Sequence, residues 1–344
     1  MALFGKPSTP ASAPQPASAL PDTPDAPIEA FAAALSLQPE AFGAGAVALT
    51  AEEDRAARAV VEHFSINHPG PASFPTISLQ ILDLVRNSDV NLAELSKYIR
   101  MDGALASGLL ALANSATYRA VNRIETVKDA VARLGLTEVA KLTAAISTRS
   151  LYGPEESAEY KRFAALWGRL FFHAATVARG ASELAKQRLL MTAGAEQVFM
   201  AGLLHDVGKS IALRSLAALE AAHKVPAFDD AVVSRILHHV HVEVGARMHL
   251  VWNMPASYTA VATHHHDAPV APGEAGAATH LVRLVSAYDL LRHEPELHPR
   301  GALELLESAR ALGLSPARLA ALARQLDETE AWVAMLFGDG TAKA

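Results

Sequence analysis

The sequence contains no cysteine and few aromatic residues. Without cysteine the chain can form neither a disulfide framework nor a thiolate zinc site, so any metal must be held by histidine and carboxylate ligands. A cysteine-free chain also fits a cytoplasmic location best. Aromatic residues make up 6% of the chain, whereas alanine and leucine are abundant, which is typical of helices rather than sheets. The composition therefore predicts an all-α fold.

Long apolar runs and concentrated positive charge are also lacking. No run approaches the length needed to span a bilayer. The N-terminal segment has one lysine and no continuous apolar core, so we expect no secretory signal. The net charge is −6 and no cluster of lysine and arginine stands out, which argues against charge-driven binding of nucleic acid. We therefore expect a protein with neither a membrane span nor a nucleic-acid partner.

The first part of the chain has little that can form a core. Residues 1–27 are rich in proline, alanine and serine, and such a segment buries too little apolar surface to offset its ordering entropy. We interpret it as a disordered tail. Residues 28–73 form a short helical lead-in, with the clearest helical character over residues 51–63.

From residue 74 onward, short amphipathic helices follow one another closely without a fixed repeat period, which predicts a compact bundle. The pattern predicts a helix over residues 124–134 that ends at Gly135, and another over residues 137–150. Residues 291–337 are expected to add helices that pack on the bundle. There, Ser315 can cap a last helix that begins at Pro316.

The segment over residues 201–209 carries the strongest chemical signal. It places His205 and Asp206 side by side at the end of an apolar run, followed by Gly208 and Lys209. An imidazole and a carboxylate from consecutive residues can share one cation where the chain turns both toward a cleft. Other histidines would have to complete the ligand shell. The alternative is a pair at a helix end, with Asp206 satisfying backbone donors and Lys209 solvated.

The order of motifs along the chain resembles the HDOD domain family. The resemblance covers residues 74–290, with a helical part over 74–150 and an HD-like part over 151–290. It rests on the following segments: Phe74-Pro75, residues 99–102, residues 109–116, residues 130–136, Trp167, residues 202–209, His241, residues 244–246, residues 252–255 and His264-His265. HDOD domains are all-helical bacterial relatives of the HD and HD-GYP phosphohydrolases. They occur mostly as signalling output modules, many of them with degraded metal sites.

The resemblance also implies a set of metal ligands and one phosphate contact. His173 lies where HD proteins place their first ligand, and Lys209 would neutralise a phosphate oxygen in an enzyme. The implied ligands are His173, His205, Asp206, His241, His264 and His265. Such a set suits a divalent iron, manganese or zinc ion, and a hydroxide bridging two such ions can attack a phosphodiester.

Each histidine also has a plainer interpretation. His173 lies on an apolar helix and can be a core residue bonded to a backbone carbonyl. His264 and His265 can pack beneath Trp252 and Pro255. For three further histidines, simple solvent exposure is the expected state: His238, His239 and His266.

One expected carboxylate is missing. When residues 281–289 are aligned with the corresponding HD-GYP element, Ser286 occupies the position of the metal-binding aspartate and Asp289 matches a later one. A hydroxyl contributes less charge to a divalent cation than a carboxylate does. Asp289 lies one helical turn further on, near the same face. The Gly-Tyr-Pro motif of the HD-GYP enzymes is absent as well, which weakens the case for cyclic-dinucleotide hydrolysis.

Three functions follow from these observations. The leading hypothesis is a signalling module without catalysis that binds a partner protein, for example a diguanylate-cyclase or kinase pathway component of cyclic di-GMP signalling. The second is a metal-dependent phosphohydrolase acting on a nucleotide or cyclic dinucleotide. The third is a pseudoenzyme that holds a metal or nucleotide without turnover. Convergence of the six implied ligands on one point is the geometric requirement of both metal hypotheses.

Overall fold

The computed structural model describes residues 48–67, 99, 103–115, 118, 123–153, 161–187, 194–266, 270, 274–293 and 301–337. Every regular element in these ranges is helical, which confirms the all-α prediction. The α-helices are α1 (Ala51–Asn67), α2 (Gly103–Ala113), α3 (Val127–Leu134), α4 (Leu136–Thr148), α5 (Ala164–Lys186), α6 (Ala195–Leu204), α7 (Val207–Ala221), α8 (Asp230–Val251), α9 (Ala256–His264), α10 (Glu274–His293), α11 (Gly301–Ala311) and α12 (Pro316–Phe337). A short 3-10 helix, Arg149–Tyr152, follows α4.

Several predicted helix boundaries agree with the structure. Helix α3 ends at Gly135, whose φ of 78° favours glycine. Helix α12 begins at Pro316, and the Ser315 hydroxyl accepts a hydrogen bond from the N–H of Arg318. The predictions for residues 1–47 and 68–98, which include the disordered tail and the first amphipathic helix of the bundle, lie outside the described residues.

Helix α5 occupies the middle of the bundle. It contacts α6, α10 and α12, and its buried residues lie on nearly every side, as expected of a helix enclosed by others. Helices α7 and α8 pack against each other, and α1 covers both. In the part of the chain that the structure describes, no helix has the length and apolar character needed to cross a bilayer.

A buried ion cluster joins α4 to α5. The Lys141 ammonium is fully buried, lies 3.7 Å from Glu138 and 3.8 Å from Glu183, and makes no hydrogen bond with any described residue. Both carboxylates have other cationic partners, since Arg179 and Lys186 contact each of them. Burial lowers the pKa of Lys141 to about 8, although Glu138 acts to raise it. The Lys141 charge is therefore an unfavourable feature of the folded state at neutral pH.

We expect Lys141→Met to raise the free energy of unfolding by about 1–3 kcal/mol at pH 7, because it removes a buried charge while both carboxylates keep their other partners. The gain should shrink as the pH rises from 8 toward 10.5. In that range the wild-type lysine is neutral when folded and still protonated when unfolded, so wild-type stability itself increases. Chemical denaturation at pH 7 and pH 10 measures both effects. Destabilisation by Lys141→Met at pH 7 would contradict this account of the cluster.

Candidate metal centre

The turn over residues 205–206 joins α6 to α7 at a point where several helices meet. Helix α6 approaches α5 closely at Gly202, where a Cβ would lie 2.7 Å from the Cα of Ala178. Helix α7 approaches α8 closely at Gly208, where a Cβ would overlap the carbonyl oxygen of His241. Because neither glycine has a side chain, the turn can lie close to α5 and α8. Each of these two helices contributes a histidine to the site.

The rings of His205, His241 and His265 are held in one orientation by backbone carbonyls. The Nδ1 atom of His205 lies 2.7 Å from the Gly202 oxygen, and that of His241 lies 2.7 Å from the His238 oxygen. The Nδ1 atom of His265 lies within 3.2 Å of two carbonyl oxygens of α9. Because a carbonyl can only accept, each Nδ1 carries the proton, and Nε2 of the neutral ring presents a lone pair.

These lone pairs point toward the carboxylate of Asp206. The Oδ1 atom of Asp206 lies 3.3 Å from His241 Nε2 and 3.4 Å from His265 Nε2, and the two nitrogens are 3.4 Å apart. With metal–ligand bonds of about 2.0–2.1 Å, the ligands of a tetrahedral zinc ion lie about 3.3–3.4 Å from one another. The three atoms therefore have the spacing of one face of a tetrahedral site.

The protonation states of the clustered side chains also favour a bound cation. Burial lowers the pKa of His205 to about 3 and holds the pKa values of His241 and His266 well below the usual histidine range. Burial alone would raise the pKa of Asp206, but the neighbouring Lys209 ammonium holds it well below its usual value. At neutral pH the rings of His205, His241 and His266 are therefore neutral and the carboxylate of Asp206 is charged. Lone pairs facing a carboxylate at these distances repel one another, and a cation between them removes the repulsion.

A second group of ligand atoms uses the other oxygen of Asp206. Its Oδ2 atom lies 3.5 Å from His173 Nε2 and 3.5 Å from His205 Nε2. Two groups that share Asp206 could thus hold a metal ion: Asp206 with His241, His265 and His266, and Asp206 with His173 and His205. Four of the six predicted ligands, His173, His205, His241 and His265, therefore converge on a fifth, Asp206.

Ser286 and Asp289 lie on opposite sides of the His173 ring. The Asp289 Oδ2 atom is 2.5 Å from Nδ1, and the Ser286 hydroxyl is 3.3 Å from Nε2. Asp289 therefore orients the ring through Nδ1, as carboxylates commonly do for metal-binding histidines. Because it does not contact the Nε2 side, it does not replace the missing ligand. The ligand side of His173 has a hydroxyl where the HD-GYP pattern has a carboxylate.

Lys209 contacts the cluster from the first turn of α7. Its ammonium lies 2.5 Å from Asp206 Oδ2, and the side chain is 7% exposed. The lysine therefore neutralises Asp206, and the alternative of a solvated Lys209 is wrong. Its phosphate contact in an enzyme stays a prediction.

The structure separates His264 from the predicted ligand set. His264 is the last residue of α9 and is exposed, whereas His265 and His266 follow the helix end and turn toward α8 and α11. The prediction that His266 is solvent-exposed is wrong: its Nδ1 lies 3.0 Å from Glu304 Oε1, and its Nε2 is buried beside the cluster. Glu304 lies far along the chain, so no local pattern around His266 indicated this partner. His239 is exposed, as expected.

Comparison with known proteins supports the same assignment of fold. The family described as HDOD domain matches residues 72–268. The chain also resembles an uncharacterized protein from Treponema pallidum (strain Nichols), with 28% identity over 209 residues, or 58% of this chain. The chain spans 38% of the length of that relative.

Three solved structures share the architecture. An HDOD domain protein of unknown function from Geobacter sulfurreducens is 25% identical, with a TM-score of 0.58 over 83% of this chain and 99% of the other. A protein from Shewanella amazonensis SB2B, named "Putative metal-dependent phosphohydrolase", is 18% identical, with a TM-score of 0.59 over 83% and 100%. A Marinobacter aquaeolei VT8 protein, named "Putative signal transduction protein", is 20% identical, with a TM-score of 0.51 over 90% and 66%.

Proposed function

The chain belongs to the HDOD domain family, and we propose that it is a signal-transduction module that acts through contacts with other signalling proteins and holds a buried divalent metal ion without catalysing hydrolysis. The proposed partners are proteins of diguanylate-cyclase or kinase pathways. The metal ion would stabilise the junction of α5, α7, α8 and α9, where its ligands originate. Its presence would thereby set the shape of the surface that these helices present.

The observation that carries the metal assignment is the spacing of lone pairs around Asp206. Three ligand atoms lie 3.3–3.4 Å apart, and each of the two histidines among them has its Nδ1 proton committed to a backbone carbonyl. In a core held together by hydrogen bonds, each of these acceptor atoms would face a donor instead of another acceptor. Imidazole with carboxylate suits Zn²⁺ or Fe²⁺, and Mn²⁺ is acceptable.

Burial of the ligands supports a role without turnover. The side chains of His205, Asp206, His241 and His265 are at most 2% exposed, and that of His173 is 9% exposed. A catalytic metal needs an open coordination position that a phosphate ester can reach. The hydroxyl of Ser286 in place of a carboxylate also leaves less negative charge for a second ion.

A hydrolysis assay tests this proposal. We expect the chain loaded with Zn²⁺, Fe²⁺ or Mn²⁺ to cleave bis-p-nitrophenyl phosphate and cyclic dinucleotides no faster than the variant Asp206→Asn, Lys209→Met. A two-hybrid screen against diguanylate cyclases and kinases should at the same time identify a partner. Hydrolysis that chelator abolishes and that the double variant lacks would overturn the proposal.

Such a result would support the second candidate, a metal-dependent phosphohydrolase. The observation in its favour is that the two oxygens of Asp206 face different ligand groups, since Oδ1 faces His241 and His265 whereas Oδ2 faces His173 and His205. A carboxylate that bridges two metal ions is suited to the two-metal hydrolysis of phosphate esters.

The variant Ser286→Asp tests how much the missing carboxylate would contribute to metal affinity. We expect it to destabilise the metal-free protein, because a third buried carboxylate joins Asp206 and Asp289. It should also increase metal affinity at least roughly tenfold, because the new ligand lies on the Nε2 side of His173. Thermal unfolding with and without Zn²⁺ should therefore show a wider separation of Tm than for wild type. Ser286→Asn is the control of similar size, and an equal effect of both changes would rule out the charge argument.

A further inference from the structure

A second group of possible ligands lies at the junction of α10 and α12, outside the cluster around Asp206. Asp289 and His293 are one turn apart on α10, and Glu330 faces them from α12. The His293 Nε2 atom is 3.8 Å from Asp289 Oδ1 and 3.5 Å from Glu330 Oε1. We propose that these three side chains form a separate divalent-cation site, which we call the outer site.

The buried Oδ1 atom of Asp289 lacks a hydrogen-bond donor among the described residues, which indicates that it binds a ligand. The Asp289 side chain is 6% exposed, and its Oδ2 atom is bound to His173. The Oδ1 atom is buried, accepts no hydrogen bond from any residue that the structure describes, and faces His293. A buried carboxylate oxygen without a donor is costly, typically by 1–3 kcal/mol or more. A cation held between Asp289 and His293 would satisfy it.

The two distances from His293 suit a zinc-sized ion, and the three ligand atoms lie within 4.8 Å of one another. Tetrahedral ligands on bonds of about 2.0–2.1 Å are about 3.3–3.4 Å apart, and the distances from His293 exceed this by only a few tenths of an ångström. His293 is 49% exposed, so its ring can rotate to close the difference. The same exposure gives the ion a path from solvent and leaves room for a water ligand.

The charge around the outer site matches a divalent cation. The carboxylates of Asp289, Glu330 and Asp327 are accompanied by one guanidinium, that of Arg292, which lies 2.5 Å from Asp327 Oδ1 and 2.9 Å from Glu330 Oε1. A hydrogen bond to Glu330 and the charge of Asp289 raise the pKa of His293, so a cation that binds here displaces a proton from its ring. With that proton displaced, the carboxylates exceed the guanidinium by two charges. One imidazole and two carboxylates are ligands that zinc accepts in proteins.

The outer site would connect α12 to the ligands around Asp206. Asp289 offers Oδ1 to the outer cation and Oδ2 to Nδ1 of His173, so one carboxylate contacts both groups. An outer cation would fix the position of Asp289 and, with it, the orientation of His173. This coupling rests on the proposed function, whereas the outer site itself does not.

Equilibrium dialysis of the full chain against Zn²⁺ tests the outer site. We expect His293→Ala and Glu330→Gln each to remove one bound Zn²⁺ per chain, or to weaken that binding by more than about 100-fold, which exceeds the usual effect of losing an orienting group. The control His239→Ala removes another exposed histidine and should leave the binding unchanged. Far-UV circular dichroism establishes that each variant is folded.

The variant Asp206→Asn, Lys209→Met separates this proposal from the previous one. It should lose the Zn²⁺ bound around Asp206 and keep the outer one. If His293→Ala and Glu330→Gln bind as much Zn²⁺ as wild type, the outer site does not exist. If they lose one ion while the Asp206 variant loses none, the outer site stands and the proposed inner metal fails.

Discussion

Replacing Asp206 by asparagine should lower the free energy of unfolding of the metal-free protein by about 3–5 kcal/mol. The reason is the Lys209 ammonium, which lies 2.5 Å from Asp206 Oδ2 on a side chain that is 7% exposed. Asparagine leaves this ammonium buried without a counter-charge, although its amide fits the same space. Chemical denaturation in the presence of chelator measures the loss.

Adding Lys209→Met to Asp206→Asn should restore most of this stability. The methionine fills the volume of the lysine stem without its charge, so neither partner of the buried pair remains unpaired. Lys209→Met alone should also be destabilising, because it leaves Asp206 unneutralised. Equal stability of Asp206→Asn and the double variant would contradict the ion pair as the source of the effect.

Gly208→Ala should both destabilise the protein and disrupt the metal centre. A Cβ at this position would overlap the carbonyl oxygen of His241 and lie 2.7 Å from the amide nitrogen of Gly245. These are backbone atoms of α8, so no side-chain rotation relieves the overlap and the two helices must separate. We expect a loss of about 3 kcal/mol or more, the upper end for overpacking. Because Asp206 and His241 lie on opposite sides of this contact, metal retention should fall as well.

Gly245→Ala is the matched control for Gly208→Ala. It adds the same methyl group at the same crossing of α7 and α8, but its Cβ would lie 3.4–3.5 Å from Gly208, an ordinary contact. We expect little change in the midpoint of denaturation and full retention of metal. If both alanine variants behave alike, close approach at Gly208 does not position His241.

Local sequence signals predicted much of the helical structure. Helix α3 ends where Gly135 adopts positive φ, and α12 starts at the Ser315 cap and Pro316, because both boundaries depend on adjacent residues. The Lys141 ion cluster was not predicted. It depends on how α4 lies against α5, and Lys141 and Arg179 are far apart in the sequence.

The candidate site was only partly predictable for the same reason. The His-Asp pair and the spacing of family motifs indicated His173, His241 and His265. Which of two adjacent histidines turns inward depends on the residue at which α9 ends, so the sequence could not separate His264 from His265. Helical spacing likewise placed Asp289 near the face of Ser286 but did not show that it approaches His173 from the Nδ1 side.

The metal content of the protein tests the central claim most directly. Plasma mass spectrometry would be applied to the full chain, purified without chelator or histidine tag, beside the variant Asp206→Asn, Lys209→Met. The ligand spacing predicts near-stoichiometric zinc, iron or manganese in the wild-type protein, and the loss of that ion in the variant. Wild-type protein with no metal above background, even after anaerobic loading with each of the three ions, would contradict the metal centre.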